Sequence, residues 1–224
     1  MKRSRVSDRD AGRIRPASFL GGWYGARLGP ARVAGVVLAV CVLAVVPGAT
    51  TAQASLFSPV STFGSPGSGS GELQNPTGMA IQSSNGAVYV ADTGNARIVK
   101  FDAKGNFVAA WGWGVTDGAA QSEVCTSKKC QAGIPGSGPG QFSRPTTIAV
   151  SASGASANKV FVGDPGNNVV LKFDADGHFL SSIDGSTAPQ GAFSNLAGVA
   201  VDQSGNLWTI DAGTGNVVEF NAKG

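Results

Sequence analysis

Apolar and polar positions along this chain fall into short runs in a fixed order, and that order recurs. The fullest copy occupies residues 76–112, PTGMAIQSSNGAVYVADTGNARIVKFDAKGNFVAAWG. It reads as four short strands in succession, separated by Gly-, Asn- and Asp-containing breaks. The first strand is apolar throughout (Met79-Ala80-Ile81, then Ile148-Ala149-Val150 and Val199-Ala200-Val201). The second carries the bulk: Val88-Tyr89-Val90, Val160-Phe161-Val162 and Leu207-Trp208-Thr209-Ile210. The third is Ile98–Phe101 in the first copy, with counterparts at 170–173 and 217–220; it puts Lys100, Lys172 and Glu219 at one position that reads as solvent-facing.

The turns repeat with the strands. Asn85-Gly86 and Gly205-Asn206 supply the positive-φ residues of a tight hairpin between first and second strands. An Asx residue opens each turn after the third strand (Asp102, Asp174, Asn221), and Gly105, Gly177 and Gly224 take its left-handed position. Central aspartates fall at Asp92, Asp164 and Asp211, spaced by 72 and then 47 residues; insertions near residues 151–161 and before Gly140 account for the longer interval. A period near 47 with four strands per unit is that of a β-propeller blade. The predicted fold is all-β, with about three four-stranded blades: units at about 72–114, 138–185 and 191–224, and an insertion at 115–137. Residues 56–63 resemble the end of a fourth strand. Propellers use about four to eight blades, so three are half of a six-bladed ring. The chain is read as a piece of a longer gene product, with ring closure by self-association of two copies as the alternative.

Charge divides the chain sharply. Residues 1–54 hold eight Lys/Arg against two Asp/Glu, whereas the remainder holds nine against twelve. The basic leader precedes a 14-residue apolar run at 33–46 and the small triplet Ala52-Gln53-Ala54, the order of a secretory signal peptide cleaved before Ser55. The rival is a membrane anchor, through which alone an uncleaved chain would meet the membrane. At about 1.5 Å per residue the run covers ~21 Å, short of a ~30 Å hydrocarbon core. The expected location is therefore secreted, outside the cytoplasm. The acidic remainder argues against nucleic acid as a partner. Cys125 and Cys130, in the insertion, are expected to pair as a disulfide in an oxidising compartment. A metal site there would need further ligands, and the single histidine, His178, lies in another unit.

The segment 91–98 (ADTGNARI), with Pro76, Gly78 and the later Phe101-Asp102-x-x-Gly105, resembles the NHL repeat, in an exported protein of bacterial type. The second unit keeps Pro145, Asp164, Gly166, Asn167 and Phe173; the third keeps Gly198, Asp202, Gly205, Asn206, Asp211 and Phe220. It departs at the Arg97 position, which holds Val169 and Asn216. The resemblance implies a propeller but leaves function open between a binding scaffold and an enzyme. The reading preferred is a scaffold, with no catalytic residues and no cofactor, that binds a protein, peptide or glycan. Its candidate contact rim comprises Asp92, Asn95, Arg97, Asp164, Asn167, Asn168, Asp211 and Asn216, together with the insertion, whose bland alternative is a tolerated surface loop. The enzymatic alternative is a metal-dependent lactonase-like hydrolase or an amidating-lyase-like enzyme. Only there would a divalent ion such as calcium or zinc enter, held by residues such as Glu72, Asp92, Asn95, Asp164, Asn167 and Asp211. Because the aspartates repeat in every unit, they read as scaffold before chemistry.

Overall fold

The computed structural model describes residues 59–222. The expected signal segment, Ser55, the residues at 56–58 and the last two residues of the expected final turn, 223–224, lie outside the described residues. Among the described residues fourteen strands run in chain order: β1 (Ser65–Pro66), β2 (Glu72–Leu73), β3 (Gly78–Ile81), β4 (Val88–Asp92), β5 (Arg97–Phe101), β6 (Phe107–Trp113), β7 (Ser122–Cys125), β8 (Thr147–Ser151), β9 (Lys159–Asp164), β10 (Val169–Asp174), β11 (Phe179–Ile183), β12 (Leu196–Val201), β13 (Leu207–Asp211) and β14 (Asn216–Phe220). The only helical turns described are two three-residue 3-10 pieces.

Strands β3 to β14 form antiparallel meanders, the blades of a partial β-propeller. Blade I is β3-β4-β5-β6-β7, blade II is β8-β9-β10-β11, and the described part of blade III is β12-β13-β14. The strands β3, β8 and β12 lie side by side at the inner edge. Backbones approach so closely there that a Cβ added at Gly78 would run into the Thr146 carbonyl. Turn chemistry sets the register as expected: Asp102 Oδ1 accepts from the Lys104 and Asn106 amides (2.8 and 2.9 Å), and Gly105 takes φ +84°. Asp174 and Gly177 repeat this turn in blade II, and Asp202 and Gly205 build a similar one between β12 and β13.

The core lies between blades. Tyr89, Ile98 and Trp111 of blade I pack with Phe142, Val162 and Phe173 of blade II. Phe161 and Val170 of blade II pack with Leu196 and Leu207 of blade III. Full burial of each such side chain contributes about 1.5–3 kcal/mol, so the blade contacts carry most of the stability. Lys100, expected in solvent, is only partly exposed: its ammonium crosses to blade II and donates to the Ala175 carbonyl (2.7 Å).

Two local expectations change. Residues 59–63 form no strand; Phe63 instead lays its ring on Phe101, 5.0 Å between centroids. Downstream, β1 and β2 pair in parallel. The insertion is not wholly loop either. Its segment β7 pairs antiparallel with β6 (Ala110 with Cys125, Trp111 with Val124), adding a fifth strand outside blade I. Val124, flanked by Glu123 and Cys125, is too short an apolar signal to announce a strand, and the open edge of β6 supplies what propensity does not.

Candidate functional site

The segment between second and third strands has the same build in each blade. Four residues after the aspartate, the chain takes a left-handed turn: Ala96 at φ +46°, Asn168 at +52° and Gly215 at +73°. This aims the aspartate at the backbone entering the blade's first strand. Asp92 Oδ1 accepts from the Gln74 amide (2.6 Å). Asp164 accepts from the amides of Ser143 (2.6 Å), Arg144 (2.8 Å) and Gly166 (3.0 Å). Asp211 accepts from those of Asn195 (2.8 Å), Ser194 (3.1 Å) and Gly213 (3.1 Å), and from the Thr214 hydroxyl (3.1 Å). All three carboxylates are fully buried. Burial alone would raise the Asp211 pKa, but these donors outweigh it and hold the carboxyl at about 2.

Blade I adds a cation. Arg97 is wholly buried, and its Nε donates to Asp92 Oδ2 (2.8 Å). Its Nη1 donates to the Ser68 and Gln131 carbonyls (2.6 and 2.8 Å), and its Nη2 to those of Gly69 and Glu72 (both 2.8 Å). Asn95 Nδ2 donates to Asp92 Oδ2 (2.7 Å) and to the Gly67 carbonyl (2.9 Å). Three segments far apart in sequence thus converge on one guanidinium: the approach to blade I, the blade motif and the insertion.

Beyond Gln131 the insertion runs across the rim. Gly133 N–H donates to the Asn95 carbonyl (2.7 Å), and the Trp113 indole N–H donates to the Pro139 carbonyl (2.9 Å). Asn167 Nδ2 of blade II reaches the Gly136 carbonyl (2.8 Å) and Asp164 Oδ2 (3.1 Å). The Cys125–Cys130 disulfide, Cα–Cα 5.7 Å, closes the outer turn of the strap. Ser70 secures that turn by donating to the Ser127 carbonyl (2.7 Å) and accepting from the Cys130 amide (3.1 Å).

The eight candidate rim residues therefore separate. Asp92, Asn95, Arg97, Asp164 and Asp211 are buried and engaged within the chain. Asn167 holds the strap, and Asn168 bridges to blade III by accepting from the Leu196 amide (3.1 Å). Asn216 is exposed at the start of β14. What lies open is the strap itself, including Lys128 and Lys129, and a groove beside it. This groove, of about 400 Å³, has Leu171 and Phe179 among its apolar lining and Ser137, Gln141, Asn167 and Ser182 among its polar lining. Sequence reasoning passed over it. The available signal was the fourth strand, where Ser181-Ser182 replace Ala109-Ala110 of blade I.

As metal donors these groups do not fit. Among the described residues no three His, Cys, Asp or Glu converge, and the blade carboxylates face amide protons. His178 is exposed in the β10–β11 hairpin, its Nδ1 3.0 Å from Asp174 Oδ2.

A family model for the NHL repeat matches residues 73–101, the stretch containing the Asp92–Arg97 clamp. The chain carries an NHL repeat there. Protein lin-41 of Caenorhabditis elegans is 47% identical over 51 residues, 23% of this chain and 4% of that protein. Peptidyl-glycine alpha-amidating monooxygenase of Mus musculus is 32% identical over 112 residues, 50% of this chain and 9% of that protein. The chain thus spans under a tenth of the length of each of these two relatives. Among solved structures, the nidogen/laminin complex aligns with a TM-score of 0.39 at 16% identity, over 64% of this chain and 42% of that one.

Proposed function

We propose that this NHL-repeat chain is an exported binding platform whose strap-bearing rim takes a protein, peptide or glycan ligand outside the cytoplasm. One observation carries this reading. The non-repeating segment is tied to the motifs of blades I and II through Arg97, Asn95 and Asn167, so it is a held surface and not a slack insertion. Ordering of this kind lowers the entropic cost of binding. The disulfide suits an oxidising compartment. Among the described residues the buried carboxylates serve the backbone, and they do not converge with a base or a nucleophile.

The test uses the exported chain, purified from the medium, on panels of linear peptides and glycans. Binding that falls with Lys128→Glu/Lys129→Glu, on the exposed turn of the strap, supports the reading. A chain retained in the cytoplasm, or one that binds nothing on either panel, overturns it.

A second reading, a lyase or hydrolase, is favoured by the match to the amidating monooxygenase over half of the chain. It predicts stoichiometric divalent metal in the purified protein and metal-dependent turnover of a peptidyl-α-hydroxyglycine or a lactone. Absence of turnover with added zinc or calcium would dismiss it.

A further inference from the structure

The two outer edges of blades I and II are treated differently. In blade I the fourth strand, β6, is covered by β7. In blade II the equivalent strand, β11, has a neighbour on one side only among the described residues. The strands correspond residue for residue through the same irregularity: Lys100 pairs with Ala109 and Phe101 with Phe107, as Lys172 pairs with Ser181 and Phe173 with Phe179. Each therefore bulges at one residue, Val108 or Leu180.

Exposed edges are usually blunted by charge or proline. From Phe179 to Ile183 the β11 edge has neither, and its second residue, Leu180, is 45% exposed. Alongside lies the groove of about 400 Å³, lined by Leu171, Phe179 and Ser182 and, from the end of the strap onward, by Ser137, Gly138 and Gln141. Gln141 is braced by accepting from the Gly138 amide (2.9 Å) and donating to the Ile134 carbonyl (3.1 Å), so the wall is built.

We infer that the β11 edge is a docking site for an extended peptide that pairs with it as a fifth strand and places an apolar side chain in the adjoining groove. This rests on the binding-platform reading and specifies its ligand class. β7 is the template, because the same protein already seats a short strand on the corresponding edge. Main-chain hydrogen bonds would supply affinity, and alternate side chains specificity. A second copy pairing through its own β11 is the lesser candidate: that strand carries Ser181-Ser182 and would leave an apolar groove unfilled.

The probe is a displayed library of linear ten-residue peptides, selected on the full exported chain. Selected peptides should share an apolar residue flanked by extended-chain residues. Ser182→Trp, which adds bulk to the groove lining, and Leu180→Lys, which charges the edge, should each weaken binding about tenfold or more. Both positions are exposed, and circular dichroism would confirm that both variants fold. N-methylation along the peptide should abolish binding at alternate positions only, a signature that groove filling alone does not produce. Peptides indifferent to both β11 variants, or to the alternation of N-methyl groups, overturn the edge proposal and leave the platform reading standing. So does glycan binding without any peptide. Dimerisation lost in the same variants, with no peptide selected, overturns it in favour of a second copy. Failure of every peptide and glycan removes both readings together.

Discussion

Replacing Arg97 by methionine keeps much of the aliphatic length and removes all five donors. Asp92 then retains the Gln74 amide and Asn95 but loses its counter-charge while fully buried. The carbonyls of Ser68, Gly69, Glu72 and Gln131 lose a donor at the same time. Those on the more open loop regain water, so the dominant loss is the orphaned carboxylate. Breaking a buried pair from one side costs about 3–5 kcal/mol, a large share of the ~5–15 kcal/mol of a typical domain. With a urea slope of about 2 kcal/mol/M, the midpoint should fall by about 2 M.

Asp92→Asn on the Arg97→Met background neutralises the stranded charge, so the double variant should be more stable than Arg97→Met by about 1–3 kcal/mol. Urea titration followed by tryptophan fluorescence reads both, since Trp111 and Trp113 lie in the affected blade. An Arg97→Met stability within ~0.5 kcal/mol of the parent's, or strictly additive substitutions, would refute the hub. So would full stability in Arg97→Val, the residue type that blade II carries at position 169.

Three further outcomes follow from the same geometry. Ala96 holds a left-handed conformation where blade III uses Gly215, and that strain costs roughly 1–2 kcal/mol against about 0.5–1 kcal/mol of extra chain entropy for glycine. Ala96→Gly should therefore raise stability by about 0.5–1 kcal/mol in urea, and a loss would show that its methyl packing outweighs the strain. Cys125→Ser/Cys130→Ser opens a six-residue loop and should cost about 2 kcal/mol, with hydrogen exchange accelerated at the Cys130 and Gln131 amides and unchanged at β9; acceleration spread evenly over the blades would contradict a local strap. Asp211 has a folded pKa of about 2 against an ordinary 3.8, so its contribution is present above about pH 3.8 and lost as pH falls toward 2. The melting temperature of Asp211→Asn should vary less than the parent's between pH 4 and 2, and parallel curves would remove the carboxylate from the clamp.

The blades were legible because their signals are local and redundant. Apolar runs, Asx-Gly turns and the aspartate motif agree three times over, and the observed strands extend the predicted ones by a residue or two, as when Val88-Tyr89-Val90 becomes Val88–Asp92. Burial of the motif was less legible. Asp92 and Arg97 are charged, and nothing in their spacing announces that Ser68, Gly69 and Gln131 will close over them. That closure depends on contacts 25 to 34 residues distant in sequence. The strand β7 was hidden for a related reason: four residues with one strong apolar side chain form a strand only because β6 offers an unpaired edge.

Repetition itself separates scaffold from function here. Asp92, Asp164 and Asp211 do one job three times, latching the entry of a blade to its central loop, and a group needed for that job in every blade is poorly placed to serve one asymmetric ligand. Asymmetry enters where a repeated position is broken. Arg97 stands where Val169 and Asn216 stand elsewhere, and it is the side chain that grips the strap through Gln131. The strap in turn ends against Asn167 and walls the groove beside β11. Loss of Arg97 should consequently loosen the groove wall as well as the fold. Peptide affinity at β11 should fall in Arg97→Lys, which keeps the charge but lacks the fork that holds four carbonyls, even under conditions where the blades remain folded. An Arg97→Lys chain that binds selected peptides as tightly as the parent would uncouple the strap from the site.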